Sequence, residues 1–558
     1  MLTTVDVARD TTWDVVVIGT GMGGATAGFA LARAGKSVLF LDKGRARSPS
    51  TLQGAYAEQF PDGRALGAIQ DRGVLAAAGR EWEPIEDVSR TRARSFIPFT
   101  GAGIGGSSAL YGMALERFFP CDFTPRENFP NARQSALPER WPVAFDELLP
   151  FYEEAEALFG VRGTQDPLRS TPATHLAAPP MLSSAGDELF AALKERGLHP
   201  YRIPLACDFV DDCASCQGYL CSRACKNDGG RVCVEPALAM HESALLDRCE
   251  VVRISTTKRS VDAVECVRDG ERFRVRAGIF VLAAGAIATP ALLLRSASSE
   301  WPDGLANRSQ QVGRNLMRHL IDLYAVRPTV DGFDNRRKEL AFNDFYLHDG
   351  VKLGSVQSFG RLPPASVIAC DVALDVRRTM GALAAHAFRV VSPLLERSLA
   401  PLIERHLMFA GIVEDLPYAY NRITVAQAST RIHYQLDHDA RSRVDVQRSL
   451  IVEAFRPRLT RLLKQAANNA RIAHACGTCR FGHDPKTSVL DANNRCHDVA
   501  NLYIVDASFF PSSGGTNPGL TIAANALRVA THIAVNRPDE VPAQAAPTKI
   551  SHAKVTGT

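Results

Sequence analysis

The chain has 558 residues, 46% hydrophobic and 22% charged, and its 64 basic and 60 acidic side chains leave a net charge of only +4. That length exceeds a single hydrophobic core, so two interlocked domains are expected, and a near-balanced charge without a basic stripe argues against a nucleic-acid partner. The N-terminus has no basic and apolar leader pattern, and the longest nearly apolar run, Ile279 to Leu294, is 16 residues interrupted by Gly285 and Pro290. It falls short of the ~18 residues of a membrane span, so a cytoplasmic protein with no transmembrane segment is expected.

Trp13 to Ile18 (WDVVVI) reads as a buried strand, Ala25 to Ala34 as a helix closed by Gly35, and Ser37 to Leu41 as a second strand. Strand, helix and strand in this order make a βαβ crossover and therefore a parallel sheet. Trp141 to Phe159 reads as a helix after its Trp-Pro start. Val261 to Ala277 reads as a hairpin turning at Asp269-Gly270, a dipeptide suited to a two-residue loop. Phe280 to Ala283 reads as a strand, Gly285 as a turn and Pro290 to Arg295 as a helix start. Phe388 to Phe409 has apolar residues at helical spacing, predicting a helix packed on the protein's own core. Asn501 to Ile533 gives a strand, a Pro-Ser-Gly loop and a helix, and the chain from about Arg537 reads as a disordered tail.

Gly19, Gly21 and Gly24 form G-x-G-x-x-G between the first strand and the helix. The first glycine permits the tight turn, the second lets a pyrophosphate approach the backbone, and the third lets helix and strand pack closely. Asp42 ends the second strand, where an acidic side chain bonds a ribose hydroxyl. The motif predicts an adenine dinucleotide without separating NAD from FAD. Gly101, Gly103 and Gly106 repeat the spacing, with Asp122 at a suitable distance. They lack the preceding strand, because Pro98 breaks SFIPFT, so a loop passing close to a cofactor is the better reading.

Four blocks taken together resemble the glucose–methanol–choline (GMC) oxidoreductase family: IGTGMGGATAGFALARAGKSVLFLDKG; GAGIGGSSALYGMALERFFPCDF; FVLAAGAIATPALLLRS with VGRNLMRHL; and HACGTCRFG with NLYIVDASFFPSSGGTNPGLTIAANALRVA. They occur in family order over nearly the whole chain. The resemblance implies an α/β fold, with a Rossmann-type FAD-binding domain and a second, sheet-containing substrate domain. It implies FAD contacts from residues 8–330, a substrate-binding domain over 331–465, and a return to the FAD domain over 466–535. It implies FAD-dependent oxidation of an alcohol or sugar hydroxyl by proton abstraction and hydride transfer to flavin N5. His474, which opens the H-x-x-G-T-C segment, is implied as the base, and Asn517, 43 positions later, as the residue that orients the hydroxyl. An imidazole can take the hydroxyl proton, and an amide can stabilise developing alkoxide charge.

The cofactor-binding positions carried over are Gly19, Gly21, Met22, Gly24, Asp42, Lys43, Gly103, Gly106, Ser107, Ser108, Tyr111, Gly112, Met113, Ala284, Asp506, Ala507 and Pro518. Tyr111 stands where the family commonly has Asn, and Asp42 where it commonly has Glu. Some members tether the flavin through a histidine near the second block. None lies between Gly101 and Asp122, which predicts non-covalent FAD. The resemblance leaves the electron acceptor open between oxygen, a quinone and a cytochrome.

Six of the thirteen cysteines crowd into one segment, at 207, 213, 216, 221, 225 and 233. Cys213, Cys216, Cys221 and Cys225 are candidate ligands for an iron–sulfur cluster or zinc, but the spacings match no standard ferredoxin or paired zinc motif. Disulfides or packed thiols are the leading reading, with no metal. Cys476 and Cys479 form Cys-x-x-Cys inside the fourth block, where packing outweighs thiol chemistry. Glu414 and Asp415 are read as a hydrogen-bonded strand end. Two rival functions stay open: a pyridine-nucleotide-linked flavin reductase using a pair such as Cys213 and Cys216, and an electron-transfer flavoprotein subunit.

Overall fold

The computed structural model describes residues 2–48, 51–59, 71–240, 242–330, 337–427 and 429–536; the tail expected from residue 537 lies outside them. Thr12–Ile18 is a strand whose VVVI stretch is buried on both faces. It pairs in parallel with Val38–Leu41 on one side and Glu271–Leu282 on the other. Ser243–Leu246 and Leu502–Ile504 extend the parallel set. One sheet therefore draws strands from the beginning, middle and end of the chain. Helix Met22–Arg33 packs on it through small residues: a Cβ at Gly28 would lie 2.2 Å from the Phe40 ring. Such close approach is possible only for a side chain that is absent.

The hairpin forms as expected, Ser260–Arg268 against Glu271–Leu282. Asp269 and Gly270 both have positive φ, at 50° and 89°, the backbone twist that suits a two-residue hairpin loop. The following helix starts earlier than expected, running from Gly285 to Arg295 with Pro290 inside. Proline cannot donate to the carbonyl four residues back. The hydroxyl of Thr478 donates to that carbonyl, Ala286 O, at 2.7 Å.

A second sheet runs in the order Thr460–Leu463, Met317–Val326, Leu407–Val413, Val356–Ser358, Leu340–Phe342 and Tyr201–Arg202. Ala473–Cys476 pairs with the first part of Met317–Val326. The sheet thus takes strands from outside 331–465 on both sides.

The helix expected over Phe388 to Phe409 is corrected in two ways. It runs from Ala382 to Glu404, and Phe409 sits in the middle of the buried strand Leu407–Val413. The apolar run LMFAGIV is flanked by strands on both sides, and that pairing overrides the helical spacing. Nor does the helix bury its apolar face: Leu383 is 90% exposed and Leu394 68%. It packs chiefly on the preceding helix Ala365–Met380. No helix among the described residues is long and apolar enough to cross a membrane.

Candidate active site

The three glycines of the first turn behave differently. A Cβ at Gly19, whose φ is +93°, would lie 2.5 Å from Ala283 O, and one at Gly24 would lie 2.0 Å from Gly19 O. A Cβ at Gly21 would meet nothing within 4 Å. Two glycines are therefore required by the protein's own backbone, while Gly21 opens onto space at the N-terminus of helix Met22–Arg33, where the helix dipole favours an anion. Gly21→Ala is accordingly expected to leave the melting temperature of the apoprotein unchanged while weakening FAD retention at least tenfold. Gly24→Ala is expected to destabilise the apoprotein by about 1–3 kcal/mol through overpacking. Thermal melting and the flavin-to-protein absorbance ratio separate the two.

Asp42 accepts from Thr20 N at 3.0 Å, Thr20 Oγ1 at 2.6 Å and Gly44 N at 2.9 Å. It braces the turn and keeps only part of its acceptor capacity for a ribose. Lys43 is drawn away to Glu81, 2.5 Å distant, and to the Trp82 ring. The second glycine stretch folds onto the first: a Cβ at Gly106 would stand 2.8 Å from Gly21 Cα. Around Gly103 and Gly106 there is a loop and a short 3₁₀ turn, Gly106–Ala109. Ser107 Oγ accepts from Gly101 N, and Ser108 Oγ bridges Gly105 O and Gly229 N. The Tyr111 hydroxyl donates to Asn227 O, so the residue that replaces Asn is turned towards the backbone. Met113 is buried with φ +64°.

Asp506 joins the middle and last blocks. It accepts from Gly285 N, just after Ala284, at 2.9 Å, from the Thr289 hydroxyl, and from Ser508 N at 2.8 Å. Ala507 O accepts from Gly477 N, which ties the HACGTC segment to the same corner. Pro518 caps helix Gly519–Val535, so Asn517 lies just ahead of a helix N-terminus.

His474 sits at a break in strand register. Met317 pairs with Cys476 and His319 with Ala473, so the four residues 473–476 oppose the three residues 317–319. His474 has φ +55°, a left-handed conformation that costs a non-glycine residue energy. A bulge of this kind re-aims a side chain, and here it aims an imidazole at His319. His474 Nδ1 and His319 Nδ1 are 2.8 Å apart. His319 Nε2 lies 3.1 Å from Ser513 O and 3.0 Å from Gly514 O. Both oxygens only accept, so Nε2 of His319 carries a proton. Burial pushes the His319 pKa down to about 4, so the ring is neutral near pH 7 and its Nδ1 is an acceptor. The proton between the rings therefore belongs to His474 Nδ1, and His474 Nε2 is left with its lone pair. Burial, then His319, then Lys338 hold His474 well below its ordinary pKa.

Asn517 is buried and its Oδ1 has no hydrogen-bond partner, a costly arrangement that a donating ligand relieves. Beside it, Thr516 Oγ1 donates weakly to Glu116 Oε2 at 3.4 Å, and Tyr201 OH donates to the same oxygen at 2.8 Å. Glu116 Oε1 is buried without a partner, and burial raises its pKa. Asn343 continues the network, donating to Tyr201 OH and to Asp166. Lys338 Nζ lies against Gly112, only 2.6 Å from where a Cβ would be. Burial lowers its pKa to about 8. The sequence singles out His474 and Asn517 as candidates; it does not single out His319, Glu116 or Lys338, although His319 stands in the quoted VGRNLMRHL run.

Glu414 and Asp415 are buried strand-end groups. Glu414 pairs with Lys352, and Asp415 accepts from Tyr434 OH and Arg318 N. Cys476 and Cys479 are both buried. In the cysteine segment, Cys213, Cys221 and Cys225 are joined by Cys207, which the spacing did not single out. Cys233 lies apart, in a π-helical turn, with its Sγ near Thr26.

Comparison with known proteins places the chain in a family. The N-terminal GMC oxidoreductase signature matches residues 14–321 and the C-terminal one residues 417–526. The chain is 31% identical to 6'''-hydroxyparomomycin C oxidase of Streptomyces lividus, over 95% of this chain and 93% of that one. It is 30% identical to paromamine 6'-oxidase of Streptomyces fradiae, over 94% and 92%. The crystal structure of pyridoxine 4-oxidase from Mesorbium loti shares the fold, with a TM-score of 0.61 at 20% identity, covering 94% of this chain and 99% of that one. With both signatures matched and relatives at this level over nearly its whole length, the chain belongs to the GMC oxidoreductase family and is an FAD-dependent enzyme that oxidises CH–OH groups.

Proposed function

We propose that His474 is the catalytic base, that Asn517 orients the reacting hydroxyl, and that the substrate is a polyhydroxylated alcohol of the sugar class. The observation that carries the reading is the tautomer set by His319, which leaves Nε2 of His474 unprotonated and available. Nε2 takes the hydroxyl proton, and the carbinol carbon gives up a hydride as the carbonyl forms. Bound FAD supplies the two-electron acceptor for that hydride. The amide of Asn517 holds the oxygen in line and steadies its developing charge. Glu116 Oε1 offers an acceptor for a second hydroxyl or an amine, and Lys338 offers a donor.

So many polar groups around the base suit a sugar better than an aliphatic chain, and two relatives are named as oxidases of paromamine and of 6'''-hydroxyparomomycin C. The second sheet, with residues 331–465 at its centre, would form the substrate side, and the first sheet with the two glycine blocks would hold FAD. Non-covalent attachment follows from the lack of histidine over residues 101–122. Acid precipitation is expected to leave all the flavin in the supernatant. Anaerobic titration tests the substrate class: paromamine or a monosaccharide should bleach the flavin at far lower concentration than 1-octanol, and preferential bleaching by 1-octanol would overturn it.

His319 is a positioning residue in this scheme. His319→Ala is expected to keep the flavin and to lower kcat/KM about tenfold, because His474 then divides between tautomers. Admitting water at the vacated ring relieves desolvation, so the His474 pKa rises and the acid limb of the kcat/KM profile moves to higher pH. A rate loss without that shift would mean only a packing role.

A further inference from the structure

Residues 207–229 are joined by few backbone hydrogen bonds and contain neither helix nor strand. A loop of this length is uncommon inside a compact domain without something to hold it. Three of its cysteine side chains converge, and a fourth touches one of them. The sulfurs of Cys207, Cys213 and Cys225 all lie within 4.8 Å of one another. Cys207 and Cys213 are 3.8 Å apart, Cys213 and Cys225 3.5 Å, and Cys221 and Cys225 3.6 Å. These separations far exceed a disulfide bond, which is about 2.05 Å. Those from Cys213 to Cys207 and Cys225 match the edge of a tetrahedron of thiolates around one zinc-sized ion, about 3.8 Å for bonds of about 2.3 Å, whereas Cys221 stands outside the group in which every sulfur is near every other. Thiolates bound to separate irons of a cluster stand farther apart than ligands of one ion. Asp212 and Ala224, directly before Cys213 and Cys225, have φ of +55° and +48°, so the backbone bends sharply just where each sulfur is presented.

We propose that Cys207, Cys213 and Cys225 bind a single divalent metal ion of the zinc class in a thiolate site. Three thiolates hold the ion and its fourth position falls to water; its role is to hold the loop. Cys207 and Cys225 pack with Met113, at the end of the second glycine block. Lys226, next to Cys225, donates from its buried ammonium to Ala109 O and Tyr219 O. The ion would thus staple the loop onto the backbone of that block. The soft thiolate set favours zinc over magnesium or calcium.

The test is metal analysis of the full-length protein purified without chelator, with parallel thiol and acid-labile sulfide assays. About one zinc per chain, retained through dialysis, is expected. Cobalt substitution should give the intense near-ultraviolet bands of thiolate ligation. Cys213→Ser and Cys225→Ser should each lower the zinc content at least tenfold. Should these variants fail to fold, release of zinc from the wild-type protein by a mercurial thiol reagent, in step with thiol modification, gives the same information. Three outcomes overturn the proposal: several irons per chain with labile sulfide, disulfides mapped among these cysteines, or reduced protein offered zinc that binds none and shows every thiol reactive.

Discussion

His474→Gln is expected to lower kcat/KM by roughly 10²–10⁴-fold, the usual contribution of a positioned general base, while the flavin content stays at the wild-type level. Glutamine keeps the volume and a hydrogen bond to His319 but offers no basic nitrogen. The pH profile gives a second reading. A histidine of ordinary pKa would lose half its activity near pH 6.5; His474 is held well below that value by burial and by His319. The acid limb of kcat/KM is therefore expected below pH 6.5, with no loss between pH 8 and 7. Stability follows the opposite side of the same linkage. His319 takes a proton in the unfolded chain near 6.5 and in the folded protein only near 4. Stability is therefore undiminished above pH 6.5 and falls as the pH drops towards 4, by about 3 kcal/mol from this group. A His474→Gln enzyme that reduces its flavin at the wild-type rate would exclude His474 as the base.

Lys352→Met is expected to cost about 3–5 kcal/mol of stability. Lys352 is fully buried and pairs with both Asp122 and Glu414, themselves fully buried. Tyr346 OH donates to both oxygens of Asp122, and Gly514 N donates to Glu414 Oε1. Removing the ammonium leaves two carboxylates in a dry site with no cation between them, and the cost is that of uncompensated buried charge. The triple variant Lys352→Met, Asp122→Asn, Glu414→Gln should recover much of the loss, because no charge is left stranded. Chemical denaturation followed by fluorescence measures both, and an unchanged midpoint in the single variant would show the network to be energetically neutral. Because Gly514 also supplies a carbonyl to His319, the single variant should lower catalytic rate as well.

The expectations that the structure bears out rest on short stretches of chain. The turn at Asp269-Gly270, the end of a helix at Gly35 and the packing of Gly24 on Gly19 are settled by φ values and a close approach among near neighbours, so the local residues carry the information. The helix expected over Phe388 to Phe409 stops short because LMFAGIV, although helical spacing continues past Arg405, pairs with strands 51 to 93 residues earlier.

By itself the sequence determined the dinucleotide turn and the family-like blocks, and it singled out His474 and Asn517 as candidates, since each is a local pattern with a fixed chemical reason. Only the tertiary structure decided which nitrogen of His474 is free, because the partner that sets it, His319, is 155 residues away. It alone brought Glu116 and Lys338 to the same site and drew three cysteine sulfurs into one cluster. Tautomers, orphaned acceptors and ligand sets depend on distances between atoms remote in sequence, and such distances exist only once the chain has folded.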